Sequence, residues 1–287
     1  MKIYKSLCPA KINLFLKVVG KRSDGFHELE SFFAFTDLFD ELSVEVSDNF
    51  SLEISGEFAR FVDQRNNLFV KILDFFSREF DVPKNLKIKI VKNIPVGSGL
   101  GGGSSNAAYF IKALNEIFLL NLNKKALQEI SLKFGSDIAF FFEDNASIVT
   151  GRGEVIENFS EFSPIRALLI HPKIGLSTKV VFQKLAGNFS QKITESKLRK
   201  MSIENLLSLP NDLEQPAIAT LSVIEEIIDQ LKESGANFAK MSGSGSACFG
   251  VFFDEEKLTQ AEAKCAKKFP NFFLKKITIN WFSACKF

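Results

Sequence analysis

Residues 93–108, NIPVGSGLGGGSSNAA, constrain the fold more than any other stretch, because five glycines and three serines fall between positions 97 and 105. So much glycine costs conformational entropy, and a fold keeps it only where bare backbone is needed. The stretch follows an alternating segment, LKIKIV at 86–91, and precedes apolar residues spaced every three or four positions from 107 to 118. These patterns predict a strand, a tight loop and an amphipathic helix.

Three roles are open to this loop: a linker, a structural turn or a phosphate-binding loop. A linker is disfavoured because the segment joins a strand directly to a helix, and a turn needs only one or two glycines. Phosphate binding accounts for the large number of glycines, because a backbone without side chains lets N–H groups approach an anion at a helix N-terminus. A Walker A loop is excluded because no lysine follows these glycines. A dinucleotide-binding loop is disfavoured, because it requires a second strand that ends in an acidic residue, and the sequence shows neither after the helix.

Composition limits the classes of partner. The 287 residues carry 36 basic and 34 acidic side chains, a net charge of +2, so a dedicated nucleic-acid or membrane-surface binder is disfavoured. No apolar run has the length needed to cross a bilayer. Four cysteines without paired spacing and only two histidines favour reduced thiols in a cytoplasmic protein rather than a disulfide or histidine-rich metal framework.

The remaining periodicity predicts a mixed α/β protein. Residues 10–19 alternate and predict a half-buried strand that presents Lys11 and Asn13 together on its polar face. The other predicted elements are strands at 31–36, 41–55, 166–171 and 272–282, helices at 67–80, 124–134, 178–186, 212–234 and 254–268, and a hairpin through Gly151 and Gly153. We place a domain boundary between an N-terminal part, 1–160, and a C-terminal part, 161–287.

Six segments together resemble the GHMP kinase superfamily. They are PVGSGLGGGSSNAA at 95–108, PAKINLFL at 9–16, DGFHEL at 24–29, GSDIAFF at 135–141, NDLE at 211–214 and MSGSGSACF at 241–249. Their order and spread over nearly the whole chain make the combination far more specific than any one segment. The doubled GLGGGSSNAA is similar to the branch of that family whose substrate is the cytidine diphosphate ester of methylerythritol.

The resemblance implies a two-domain α/β fold, with an N-terminal domain like the second domain of ribosomal protein S5 and a ferredoxin-like C-terminal domain. It implies ATP-dependent phosphorylation of the 2-hydroxyl of that ester in non-mevalonate isoprenoid precursor synthesis, with Mg²⁺ as cofactor. The expected partner is therefore a small molecule, and no obligate protein partner is predicted. Another small-alcohol kinase of the family and a catalytically inactive nucleotide-binding relative remain as alternatives.

By resemblance, Asp137 is the catalytic base and Lys11 the catalytic lysine that keeps it anionic and offsets phosphoryl charge. The sequence alone leaves Asp137 open as a cap and Lys11 as a solvated strand residue. MSGSGS at 241–246 is either an ordinary turn or the third kinase motif. The predicted ATP-binding residues are Pro95, Val96, Gly97, Ser98, Gly99, Leu100, Gly101, Gly102, Gly103, Ser104 and Ser105. Ser104 and Ser105 are either N-caps or a source of one metal-binding hydroxyl, and no other metal ligand is assigned.

The predicted substrate-binding residues are Asn13, Phe26, His27 and Phe182. The resemblance implies that His27 hydrogen-bonds the cytosine edge and Phe26 stacks on its face, although the family usually has tyrosine at position 26. Phe182 is a candidate for the other face, with core packing as the alternative. Asn13 either orients a partner in the site or is a buried, hydrogen-bonded strand residue.

Overall fold

A computed structural model of the chain describes residues 3–63, 67–159, 162–185, 187 and 189–280. Its backbone forms two compact units with interleaved segments. The first unit comprises Met1–Ala10, Leu38–Val96 and Gly101–Asp144, and the second comprises Lys11–Asp37, Gly97–Leu100 and Asn145–Phe287. The expected boundary between residues 160 and 161 stays a prediction.

The strands are β1 Ile3–Lys21, β2 His27–Val46, β3 Ser51–Ser55, β4 Leu86–Val91, β5 Ser147–Gly151, β6 Val155–Asn158, β7 Ile165–His171, β8 Phe238–Met241, β9 Cys248–Phe252 and β10 Phe273–Ile279. The α-helices are α1 Leu68–Phe80, α2 Gly102–Ile117, α3 Lys124–Ser131, α4 Thr178–Gln183, α5 Glu195–Leu198, α6 Ile203–Ser208, α7 Glu214–Ile218, α8 Val223–Glu233 and α9 Glu255–Lys268. Two 3-10 helices span Ala59–Phe61 and Ser136–Phe142.

In the first unit, β4 pairs in parallel with β3 and antiparallel with the end of β2, from Glu41 opposite Val91 to Val46 opposite Leu86. Helix α1 begins after Asn67, whose side chain accepts the N–H of Phe69. Helices α2 and α3 pack against the 3-10 helix 136–142. The predicted elements at 67–80, 86–91 and 107–118 are therefore confirmed, and they place the glycine-rich segment at the start of α2.

In the second unit, the strand order β10-β7-β9-β8 is antiparallel throughout. Helix α8 packs on β8 and β9, and α9 packs on β7 and β10. A strand, helices, two strands, a helix and a strand, in this order along the chain, form the ferredoxin-like arrangement. The expected ferredoxin-like C-terminal part is confirmed. The β5–β6 hairpin, which pairs with the start of β2, confirms the hairpin through Gly151 and Gly153.

Three predictions of elements are wrong. Strand β1 is buried on both faces from Cys8 to Val18 rather than half-buried, because its polar side chains find hydrogen-bond partners inside the fold. The segment 41–55 belongs to two strands, β2 and β3. The helix expected at 212–234 is two helices, α7 and α8, and the apolar spacing continues across both, so periodicity could not mark the break.

No helix of the described residues combines the length and apolar character needed to span a membrane.

Candidate functional site

The predicted site residues divide between the two units. The first unit contains Pro95, Val96, Gly101, Gly102, Gly103, Ser104, Ser105 and Asp137, and the second contains Lys11, Asn13, Phe26, His27, Gly97, Ser98, Gly99, Leu100 and Phe182. We call residues 95–105 the glycine loop.

The N-terminus of α2 has no side-chain cap. Gly101, at φ 69°, is its N-cap residue, and Ser105 N–H makes the first backbone bond, 2.8 Å to Gly101 O. The amides of Gly102, Gly103 and Ser104 thus precede the first intrahelical bond, and the helix dipole adds positive potential there. Ser104 and Ser105 lie inside the helix, so their interpretation as N-caps is wrong. An uncapped helix N-terminus of this kind is suited to binding an anion through its backbone amides.

The glycines of the loop differ in whether neighbouring atoms leave room for a side chain. A Cβ at Gly99 would lie 2.1 Å from Ser242 O, and one at Gly102 would lie 2.9 Å from Ile94 Cγ2. Gly97, at φ 64°, would place a Cβ 3.2 Å from Gly175 Cα. At Gly103 a Cβ would have nothing within 4 Å. Packing therefore requires the first three, contrary to the expectation that anion binding alone accounts for the glycines, whereas Gly103 has no packing reason of this kind.

A buried cluster of three residues flanks the glycine loop in the first unit, and sequence reasoning missed it. Lys92 Nζ donates to Asp40 and, at 2.7 Å, to Asn106 Oδ1, and Asn106 Nδ2 donates to Asp40 Oδ2 at 2.9 Å. Asp40 Oδ1 also accepts the backbone N–H of Asn93 and Ile94 at 2.7 and 2.8 Å. The cluster thus ties the residues before the loop to the first turns of α2. The signal available in the sequence was Asp40, which follows the apolar residues Leu38 and Phe39.

Asp137 lies in the first turn of the 3-10 helix Ser136–Phe142, whose N-cap residue is Gly135. The interpretation of Asp137 as the cap is therefore wrong. Ile138 to Phe142 are buried, whereas Asp137 keeps partial exposure. The Asp137 carboxylate is thus partly accessible to solvent, a condition that a general base must meet.

In the second unit, the Lys11 side chain is buried and hydrogen-bonded. Its Nζ donates to Asn13 Oδ1 at 2.6 Å and lies 4.4 Å from the ring centre of Phe33. Asn13 Nδ2 donates to Ser31 Oγ at 2.9 Å, and Ser31 Oγ donates to Phe15 O at 2.5 Å. These bonds fix the Asn13 amide with its oxygen toward Lys11. The description of Lys11 as a solvated strand lysine is wrong, and Ser31 is a further residue that the sequence did not reveal.

The segment 242–247 between β8 and β9, which we call the Ser242 loop, contacts both β1 and residues 97–100. Asn13 N–H donates to Ser242 Oγ at 3.2 Å, and Ser242 Oγ donates to Gly99 O at 3.3 Å. Ala247 N–H donates to Ser98 O at 3.0 Å, and Lys11 N–H donates to Leu100 O at 2.9 Å. MSGSGS is therefore a turn between two strands that also supports one side of the glycine loop.

The aromatic candidates of the second unit form a small group beside the turn at 22–26. His27 stacks on Phe182 with ring centres 4.8 Å apart and planes at 26°, and Phe189 lies edge-on at 6.3 Å. Phe26 is 48% exposed, with Arg152 Cζ 5.1 Å from its ring centre. Burial, then the nearby Lys21, lowers the pKa of His27. The neutral imidazole offers one donor and one acceptor.

The donor chemistry of the first unit fits Mg²⁺. This ion usually keeps several waters and takes one or two protein oxygens plus substrate phosphates. The described residues contain no group of three or more His, Cys, Asp or Glu that would hold a metal by themselves. Within that part of the chain, Ser105 Oγ is buried without a hydrogen-bond partner, and Ser104 is half-buried. A serine hydroxyl is a hard oxygen donor of the required kind.

Comparison with protein families gives two matches. "GHMP kinases N terminal domain" matches residues 67–144, and "GHMP kinases C terminal" matches residues 194–271. The two regions lie on either side of residue 160 and together cover more than half of the chain.

Individual relatives match over most of their length. The 4-diphosphocytidyl-2-C-methyl-D-erythritol kinases of Chelativorans sp. (strain BNC1) and of Wolbachia pipientis wMel are 34% and 35% identical over 274 and 283 residues. The matches cover 94% of this chain in both cases, and 94% and 97% of those proteins. The crystal structure of a 4-(cytidine 5'-diphospho)-2C-methyl-D-erythritol kinase superposes with a TM-score of 0.75 at 27% identity, covering 96% of this chain and 99% of that one. The expected mixed α/β, two-domain fold is confirmed.

Proposed function

Because the chain belongs to the GHMP kinase family, we propose that it transfers the γ-phosphoryl group of ATP to the tertiary 2-hydroxyl of 4-diphosphocytidyl-2-C-methyl-D-erythritol. The relatives that carry this substrate in their names support the acceptor. ATP as the phosphoryl donor is supported by the start of α2, which has no side-chain cap and where a Cβ at Gly103 would meet nothing within 4 Å. The reaction belongs to non-mevalonate isoprenoid precursor synthesis.

Phosphoryl transfer depends mainly on positioning and charge stabilisation. In this proposal the glycine loop, residues 95–105, binds the ATP phosphates, with the amides of Gly102, Gly103 and Ser104 directed at phosphate oxygens. Packing of Gly99 against Ser242 O and of Gly102 against Ile94 holds the loop in shape before ATP arrives. A preformed loop costs less ordering entropy on binding.

Asp137 accepts the proton of the attacking hydroxyl, and Lys11 offsets the charge on the transferring phosphoryl group. Asn13 remains a proposed substrate-binding residue, and its 2.6 Å contact with Lys11 Nζ supports a second task, the orientation of the ammonium group. The Ser31 hydroxyl accepts a hydrogen bond from Asn13 Nδ2 and so opposes a 180° flip of the Asn13 amide.

Phe26, His27 and Phe182 bind the cytosine. A stacked aromatic face tolerates any base, so discrimination depends on the donor and acceptor of neutral His27. The observed stack of His27 on Phe182 supports a shared aromatic site. Phe26 lacks the hydroxyl of the family's usual tyrosine, but its exposed ring is available for stacking.

The proposal includes Mg²⁺, with Ser104 or Ser105 as a protein oxygen donor; when bound, the ion would offset phosphate charge. It also includes a cytoplasmic location, where ATP is present; Cys8, Cys248 and Cys265, which are buried free thiols, support a reducing compartment. The expectation of small-molecule partners, without nucleic acid, membrane or obligate protein partner, is part of the same proposal.

A coupled ADP-release assay over a panel of alcohols tests this function. We expect ATP-dependent turnover of the cytidine diphosphate ester with kcat/KM far above that of homoserine, mevalonate and methylerythritol 4-phosphate. Preference for one of the simple alcohols would identify another small-alcohol kinase of the family. ATP binding without turnover of any alcohol would identify an inactive nucleotide-binding member.

A further inference from the structure

The NDLE segment, residues 211–214, has no role in the reaction as described, yet its side chains hold the Ser242 loop. The buried Asn211 donates from Nδ2 to Met241 O at 2.9 Å and to Gly243 O at 2.8 Å. Its Oδ1 accepts Leu213 N–H at 3.1 Å. One amide thus bonds to the carbonyls on both sides of Ser242.

Two neighbouring carboxylates extend this arrangement. Glu214 Oε2 accepts the N–H of Met241 at 2.9 Å, and Asp212 Oδ2 accepts the N–H of Val18 in β1 at 2.8 Å. The backbone continues the contact with β1, since Asp212 N–H donates to Leu16 O at 2.8 Å. Residues 211–214 therefore link the start of the Ser242 loop to the strand that carries Lys11 and Asn13.

The Ser242 loop has little freedom to move without displacing residues 97–100. Ser242 O would lie 2.1 Å from a Cβ at Gly99, and a Cβ at Gly243 would lie 3.1 Å from both Gly99 O and Asn13 Oδ1. Backbones this close transmit a shift of one loop directly to the other. The amide of Asn211 holds the peptide groups on both sides of the Ser242–Gly243 peptide, whose oxygen lies against Gly99.

We propose that Asn211 is a positioning residue for ATP binding: by holding Met241 O and Gly243 O it keeps the Ser242 loop against Gly99 and the glycine loop in its binding shape. This inference rests on the proposed kinase function. Loss of the donor leaves two buried carbonyls unpaired, which is costly, and the loop must rearrange to satisfy them.

The test uses two substitutions of Asn211 and one matched control. Asn211→Ala removes all three bonds, whereas Asn211→Asp keeps the acceptor for Leu213 N–H, loses the two donated bonds and sets a carboxylate against the two carbonyl oxygens. Asn237→Ala is the control. Asn237 immediately precedes β8, at the end of the strand opposite the Ser242 loop, and its Oδ1 likewise accepts a backbone N–H, that of Phe253 at 3.0 Å. We expect both Asn211 variants to raise the Kd and KM for ATP by about tenfold or more, with KM for the cytidine ester changed less than about twofold. The control lowers the Tm and leaves both KM values unchanged.

Wild-type ATP affinity in folded Asn211→Asp would overturn the inference, as would an equal loss of affinity in Asn237→Ala. If the Asn211 variants do not fold, hydrogen exchange of the wild-type protein decides the question: ATP should protect 241–247 together with 97–105, and protection of 97–105 alone would overturn the proposal. Calorimetric titration of ATP keeps the test independent of the acceptor, so a wrong substrate assignment would show as absent turnover with the ATP effect intact.

Discussion

Gly103→Ala separates ligand binding from folding more cleanly than any other change in the glycine loop. The added Cβ meets nothing within 4 Å, and the residue lies in the first turn of α2. Alanine is more favourable than glycine in a helix by up to about 1 kcal/mol. The free enzyme should therefore be as stable as the wild type or slightly more stable.

ATP binding should change in the opposite direction. If the Gly103 backbone approaches a phosphate oxygen, the methyl group displaces the nucleotide and weakens a hydrogen bond to a charged group. Such a bond is worth about 1.5–3 kcal/mol, which corresponds to about a ten- to hundredfold rise in Kd at 1.4 kcal/mol per decade. Gly102→Ala differs, since its Cβ would lie 2.9 Å from Ile94 Cγ2, and overpacking of about 1–3 kcal/mol should lower stability.

Calorimetric titration of ATP and thermal unfolding of both variants provide the measurement. We expect weaker ATP binding without loss of Tm in Gly103→Ala, and a lower Tm in Gly102→Ala. Unchanged ATP affinity in a stable Gly103→Ala would refute the assignment of this helix end to phosphate binding.

Three further predictions concern single side chains. Asp137→Asn should fold normally and lose about 10²–10⁴ in kcat, the usual contribution of a general base; turnover close to wild type would remove Asp137 from the mechanism. His27→Ala should raise KM for the cytidine ester by about ten- to a hundredfold and leave KM for ATP unchanged, and steady-state kinetics with an unaffected KM for the ester would contradict the cytosine site. Burial, and to a lesser extent the charge of Lys173, lowers the pKa of His171 to about 4. As the pH falls from 6.5 to 4, the unfolded chain therefore takes up a proton that the folded protein does not. The free energy of unfolding should decrease over this range, by up to about 1.4 kcal/mol per pH unit from this group. His171→Asn, which keeps an acceptor for the N–H of Lys173, should flatten that part of the profile in denaturant titrations, and an identical slope would exclude His171 as its cause.

The sequence predicted the elements around the glycine loop well because their signals are local. The alternation at 86–91 gives β4 with the same bounds, and apolar spacing gives α1 and most of α2. Helices α5 and α6 were not predicted; α5, with four residues, is too short for a periodic pattern. The ferredoxin-like order followed from the family resemblance, since strand order is not encoded in periodicity.

The candidate site was predictable in its residues but not in its contacts. Asn13 meets Ser31 and Ser242, which are 18 and 229 positions away, and no spacing rule connects such residues. The glycines of the loop look equivalent in the sequence, whereas Gly99 and Gly102 are required by neighbouring atoms and Gly103 is not. Only the tertiary structure makes that distinction.

Phosphorus NMR of the product shows whether the ATP γ-phosphoryl group is transferred to one hydroxyl of the cytidine ester. With ATP, Mg²⁺ and the ester, we expect one new phosphomonoester resonance, coupling data that place it on the tertiary 2-hydroxyl, and unchanged diphosphate resonances. Asp137→Asn should yield the same product slowly. Phosphate on another hydroxyl, an altered diphosphate, or ADP and free phosphate without a phosphorylated ester would exclude this reaction.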